Sequence, residues 1–248
     1  EGAFAGCINL TSLELGDGVT SIGINAFASC INLTSLELGN SVTSIGDSAF
    51  YNCEKLTKLT IPDSVISIGN SAFYECTNLT SLTILEKKTS GVEAMIGENA
   101  FFRCEKLESL TIPNQVESIG EGAFDGCKAL RSLTLGNSVD SIGNNAFNEC
   151  YNLTSLTIPD KVTSIGDNAF YMCVNIQPLE LGKNIKSIGK AAFFGCKKLT
   201  TLTIPNQVTS IGTYAFYGCT ILTSLTLGDK VTSIGVRAFN NCNKLISL

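Results

Sequence analysis

Eleven cysteines are the residues with the most evident chemistry in this 248-residue chain. Thiolates bind soft metals, form disulfides and act as nucleophiles. Their spacing argues against the first and last uses. Zinc-type sites take two ligands from a short C-x-x-C segment or complete the set with imidazole. Here successive cysteines lie a full repeat apart, and the chain contains no His. The missing His also removes Ser-His-Asp and Cys-His nucleophile systems. A net charge of −5 argues against a nucleic-acid partner, because phosphates select Lys and Arg.

The cysteines sit in a periodic frame that sets their positions. Each follows a Phe by three residues, from Phe4 and Cys7 to Phe239 and Cys242, and each Phe is preceded by Ala. The Phe recur every 23 residues, with one step of 28 between Phe73 and Phe101. The unit reads L-T-S-L-T-[LI]-[GP]-[DN]-x-V-x-S-I-G-x-x-A-F-x-x-C-x-N, which is the signature of a solenoid with one coil per repeat.

Each part of the unit has a local meaning. In Leu10, Leu13 and Leu15 the L-x-x-L-x-L spacing turns alternate side chains inward, as in a strand. Turn pairs follow at Gly16-Asp17, Pro62-Asp63, Pro113-Asn114 and their equivalents. Val19 and Ile22 mark a second short extended stretch, β-branched at its inward positions. The Gly that follows (Gly23, Gly46) suits either a positive φ or a close backbone approach. Ala-Phe-x-x-Cys then places Phe and Cys on one face of a single helical or 3-10 turn. No coil buries its apolar face alone, so stacking must supply the core.

The repeat resembles the leucine-rich repeats of the BspA-like (Treponema-type) family, whose pattern is L-x-x-L-x-L-P-x-S-V-x-x-I-G-x-x-A-F-x-x-C. The resemblance implies an α/β fold: a right-handed leucine-rich repeat solenoid with a parallel concave sheet. Second short strands and short helical or 3-10 turns are expected elsewhere on each 23-residue coil. Residues 1–248 then form a single solenoid of about eleven coils, partial at both ends, with a five-residue insertion within 85–96. The resemblance also implies surface proteins of bacteria or protists, several of them adhesins for host matrix proteins. It carries no catalytic motif, metal site or cofactor. The chain begins three residues before a Phe and stops on the second Leu of a repeat, without signal peptide, membrane span or anchor. It is therefore expected to be an interior segment of a longer chain.

For the cysteines two readings stand. Neighbouring strands lie ~4.8 Å apart, within the span of a disulfide, so bridges between coils are geometrically open. The odd count and the small apolar slot favour a ladder of buried free thiols.

Candidate contact residues come from the outward positions. The first strands present a nearly uncharged row on the concave face: Glu14, Glu37, Thr60, Thr83, Thr111, Thr134, Thr157, Glu180, Thr203 and Thr226. It lacks the Trp, Tyr and Arg that dominate protein hot spots, apart from Arg131 on its flank. A serine column on the other strand (Ser21 to Ser233) is expected to link coils through its hydroxyls. Breaks in the repeat are further candidates. The insertion begins with the loop residues Glu86, Lys87 and Lys88, and insertions in solenoids map to one edge. Pro178 interrupts a strand and should make its coil irregular. The next coil carries a basic patch of Lys183, Lys186, Lys190, Lys197 and Lys198. Four N-L-T sequons, at Asn9, Asn32, Asn78 and Asn152, read either as glycosylation sites or as plain consensus.

Two functions fit. The chain is a surface-exposed or secreted, adhesin-like protein-binding module without catalytic activity, or a structural spacer or self-assembling solenoid. The expected partner is another protein, a host matrix or surface protein. End-to-end association with a second copy is the alternative. No nucleic acid and no membrane insertion are expected.

Overall fold

In the computed structural model, which describes residues 1–87 and 94–247, the repeat closes into a right-handed solenoid. The inward Leu, Val, Ile, Ala, Phe and Cys form one continuous core along its axis. The Phe of the Ala-Phe-x-x-Cys segments are fully buried from Phe50 to Phe216. Successive Phe rings stack at 5.1–5.4 Å between centroids, within 7° of parallel. Each buried ring contributes ~1.5–3 kcal/mol by leaving water, and it does so only because the next coil supplies its cover.

Two parallel ladders run along the solenoid, and their relative weight reverses the expectation. The serine strands, from Ser21–Ile22 to Ser233–Ile234, form one continuous ten-stranded sheet. Residues pair with their own repeat equivalents, as in Ser141↔Ser164 and Ile142↔Ile165. The Gly after each Ile is required by close approach: a Cβ on Gly46 would lie 2.8 Å from the carbonyl carbon of Gly23.

The leucine strands do not form the single concave sheet predicted. They join two by two: Ser12–Glu14 with Ser35–Glu37, Lys58–Ile61 with Ser81–Ile84, and Ser109–Thr111 with Ser132–Thr134. Leu156–Thr157 pairs with Leu179–Glu180, and Thr201–Thr203 with Ser224–Thr226. The residues that end each strand explain the last three pairs. The first member runs into Ile-Pro and the second into Leu-Gly, as in Ile158-Pro159 and Leu181-Gly182. The Ile158 N–H donates to Glu180 C=O at 2.8 Å. The glycine of the second strand then packs on the proline carbonyl of the first. At Gly136 a Cβ would come 2.5 Å from Pro113 O.

The expected helical turn at Ala-Phe-x-x-Cys is also corrected. Residues two before and two after the Phe have positive φ, as at Asn25 (55°) and Ser29 (58°) around Phe27. Left-handed residues cannot continue a right-handed helix, so the segment is a run of turns. Ala26, Ala28 and Cys30 N–H donate three residues back, to Gly23, Asn25 and Phe27. The intervening N–H groups leave the coil: Asn25 donates to Asp47 C=O, Phe27 to Ala49 and Ser29 to Tyr51, at 2.7–2.9 Å. Repetition of these bonds links peptide groups head to tail in three columns whose N–H groups all point toward the following coil. Among the described residues there is no helix, so the fold is an all-β solenoid rather than α/β.

Candidate binding surfaces

The ten residues predicted for the leucine-strand row are all exposed. Their register confirms one face: Glu14↔Glu37, Thr60↔Thr83, Thr111↔Thr134, Thr157↔Glu180 and Thr203↔Thr226 are direct neighbours. The Thr157 hydroxyl donates to the Glu180 carboxylate at 3.2 Å. The strands raise these side chains because the intervening Leu and Ile are held in the core.

Pro178 produces the irregularity expected of it. At the residue opening each leucine strand, the backbone N–H usually donates to its equivalent one coil earlier, as Thr154 does to Arg131 and Gln177 to Thr154. Between Gln177 and Thr200 the Gln177 side chain takes over. Its amide donates to Thr200 Oγ1 at 2.6 Å and accepts from the Thr200 N–H at 3.4 Å. The Gln177–Pro178 bond is cis. The adjoining strands Leu179–Glu180 and Thr201–Thr203 belong to different two-stranded sheets. A cleft of about 630 Å³ opens over this junction, lined by Glu180, Lys183, Thr203 and Thr226 together with Asn206 and Gln207. Three row residues and one basic-patch lysine therefore share one concavity.

The rest of the basic patch is not brought together. Lys183 lies in the turn after the leucine strand, Lys186 before the serine strand, Lys190 before Phe193, and Lys197 and Lys198 after Cys196. They form a belt around one coil, because five lysines within sixteen residues are distributed over most of the circumference of a 23-residue coil. Lys183 also pairs with Asp160 of the preceding coil at 2.6 Å. That ammonium holds the Asp160 carboxyl below the usual carboxylate value.

The start of the insertion is fastened to the following coil. Gln115 donates to Leu85 C=O at 2.7 Å and accepts from the Lys87 N–H at 3.3 Å, while Asn114 donates to the Glu86 carboxylate at 2.8 Å. Lys88 lies outside the described residues. Three of the sequon asparagines serve the solenoid itself. Asn32, Asn78 and Asn152 donate their amides to backbone carbonyls of the previous coil at 2.7–2.8 Å. Inter-coil hydroxyl bonds come from threonines such as Thr34 and Thr43, at 2.9 and 3.0 Å, rather than from the serine column.

All eleven cysteines are free thiols. From Cys30 onward each donates to the carbonyl of a Phe in the previous coil, at 3.3–3.9 Å. Burial pushes the thiols from Cys30 to Cys196 up, Cys53 to about 12, whereas its hydrogen bond with Cys219 holds Cys242 below the ordinary thiol value. The buried thiols from Cys30 to Cys196 are thus poor nucleophiles at neutral pH. Among the described residues no group of three His, Cys, Asp or Glu could hold a metal ion, and no helix is long and apolar enough to cross a membrane.

Sequence reasoning passed over the position after each Phe. Tyr51, Tyr74 and Phe102 stack there at 4.6–5.0 Å, and so do Tyr171, Phe194 and Tyr217 at 4.7–4.8 Å. Asp125 and Asn148 separate the two stacks and hydrogen-bond at 3.0 Å. Burial pushes the Asp125 carboxyl up to about 6 against the lowering effect of the Asn148 amide. Asn148 Oδ1 is buried without a partner.

Comparison with known proteins agrees with this architecture. A family model described as "BspA type Leucine rich repeat region" matches in six copies over residues 1–94, 94–199 and 163–248. No curated protein matches the chain. Among solved structures, a leucine-rich repeat protein of Treponema pallidum is 27% identical with a TM-score of 0.62, over 76% of this chain and 82% of that one. One from Bacteroides ovatus is 24% identical with a TM-score of 0.52, over 98% and 79%. The pneumococcal vaccine antigen PcpA is 21% identical with a TM-score of 0.52, over 95% and 66%. The last two likenesses speak to the fold alone.

Proposed function

The chain belongs to the BspA-type leucine-rich repeat family, and from that premise we propose that it is a non-catalytic, adhesin-like protein-binding module, exposed at a cell surface or secreted. The observation that carries this reading is the cleft over the junction between Leu179–Glu180 and Thr201–Thr203. A uniform row of exposed hydroxyls offers no preferred docking point, but at this junction Glu180, Thr203 and Thr226 converge in one concavity with the amides of Asn206 and Gln207. Concave sites with a few convergent polar groups are where solenoids and other scaffolds most often bind. Surface exposure is supported by the family resemblance, which implies surface proteins of bacteria or protists.

Saturable binding to immobilised laminin, collagen or fibronectin tests the proposal. Thr203→Arg combined with Glu180→Arg should weaken that binding by about tenfold, by filling the cleft and reversing its charge. Absence of binding to every such protein, together with a scattering mass that grows with concentration, would favour the spacer or self-assembling reading instead.

A further inference from the structure

The two aromatic stacks differ in what lies beside them. Next to the first stack, the left-handed position after each ring carries Asn52, Glu75 and Arg103. Arg103 sits over the Phe102 ring at 5.3 Å and pairs with Glu75 at 3.4 Å, so this stack is engaged by its own neighbours. Next to the second stack the same position holds Met172, Gly195 and Gly218. The glycines leave the ring flanks open between Met172, whose sulfur would lie 2.6 Å from a Cβ at Gly195, and Asn241, whose amide donates to the Tyr217 hydroxyl at 2.8 Å. A groove of about 400 Å³ results, lined by Met172, Phe194 and Tyr217 with Lys197 at its edge. Outside this lining, Arg237 lies over the Tyr214 ring at 6.0 Å and donates to its hydroxyl at 3.3 Å, and Tyr214 meets Tyr217 edge to face at 5.6 Å.

The charge around this groove is as distinctive as its composition. Residues 183–248 carry eight Lys and Arg against one acid, Asp229, whereas residues 1–182 carry nine against 21. Because a solenoid lays sequence out along its axis, this division becomes a spatial one, with the basic last quarter holding most of the open aromatic groove. Tyr, Phe, Met and Arg are the residues enriched at protein interfaces, and Met adapts its shape to whatever docks against it.

We propose that the groove beside Phe194 and Tyr217 is a second interaction surface, separate from the hydroxyl row, and that it takes an acidic protein segment bearing an aromatic or long aliphatic side chain. The apolar side chain lies on the ring edges and the Met172 thioether, replacing water over the glycines. The flanking carboxylates face Lys197 and Arg237. Such a surface gains speed and selectivity from its field, while the hydroxyl row, being nearly uncharged, gains neither.

The test pans a random dodecapeptide display library on the whole chain and measures the enriched peptides, synthesised with a fluorescent label, by anisotropy. The expected peptides are acidic with at least one aromatic or long aliphatic residue, and their amide-shift perturbations fall on residues around Phe194, Gly195, Tyr217 and Gly218. Lys197→Glu with Arg237→Glu, both exposed and far from the core, should weaken them about tenfold and Met172→Ala several-fold, while Thr203→Arg leaves them unchanged. Peptides without acidic bias, binding that survives the charge reversal, or shifts confined to the hydroxyl row would overturn the proposal. Failure to enrich any peptide, while a matrix protein still binds through the Thr203 cleft, would overturn it and leave the protein-binding function standing. Loss of both would remove both.

Discussion

Replacing Phe124 by Ala tests the central claim that one ring per coil holds the solenoid together. Phe124 is fully buried and lies between Phe101 at 5.2 Å and Phe147 at 5.4 Å. Truncating a buried Phe costs ~3–5 kcal/mol, with the value set by how far the surroundings can collapse. Here they can collapse little, because the rings above and below are fixed by their own coils and ladders. The loss of two stacked contacts acts in the same direction, at ~0.5–1.5 kcal/mol each, which places the expected cost near ~5 kcal/mol. In a solenoid the damage is shared by two interfaces. Urea unfolding followed by far-ultraviolet circular dichroism should therefore show a lower midpoint and a broadened or divided transition. Adding Phe193→Ala, three coils away, should be additive, whereas adding the neighbouring Phe147→Ala should not be. A midpoint shift no larger than that of the exposed Thr134→Ala would refute the assignment.

Three further expectations follow from particular contacts. Because Asp125 has a raised folded-state value of about 6, it favours the fold below its ordinary value and loses that contribution as pH rises through about 6. Asp125→Asn should then stabilise the protein at pH 7 by ~1 kcal/mol after allowance for partial solvent screening, and the gain should disappear in urea titrations near pH 4. Ellman titration should find Cys7, which is exposed, reacting in the native state and all eleven thiols reacting after unfolding without reductant; a shortfall would restore inter-coil disulfides. Gln177→Ala removes the side-chain bridge across the broken ladder and should cost ~1 kcal/mol, with faster hydrogen exchange at the Thr200 amide, while unchanged exchange would show that the bridge is dispensable.

The core was legible in the sequence because burial follows type and spacing: the Phe, Cys, Leu and Ile phases all face inward. The turns were harder. Left-handed positions two residues from each Phe are filled by Asn, Ser, Glu, Arg, Met and Tyr as well as Gly, so no residue type announces them, and Ala-Phe-x-x-Cys passes for a helical turn. The pairing of leucine strands had a signal in the alternation of Ile-Pro with Leu-Gly, which becomes informative only once Gly136 is seen against Pro113. Nearness in sequence also misled: Lys183 to Lys198 look like a patch and prove to be a belt. Pro178 marked one break in the leucine ladder, but the ladder also breaks between Glu37 and Lys58, Ile84 and Ser109, and Thr134 and Leu156, where no such proline stands.

The three columns of peptide groups joined head to tail have an electrical counterpart. Their N–H groups point toward the later coils, but in the two ladders Thr43 donates to Thr20, Gly46 to Ile22 and Thr34 to Thr11 of the coil before, so the peptide dipoles of about 3.5 D each largely cancel, as in ordinary sheets. The side chains do not cancel, because Lys and Arg accumulate toward the later coils and the acids toward the earlier ones. The molecule is thus a polar needle whose direction is set by its side chains. It should turn to a common orientation in an electric field, and before a charged surface it should present one end rather than its flank.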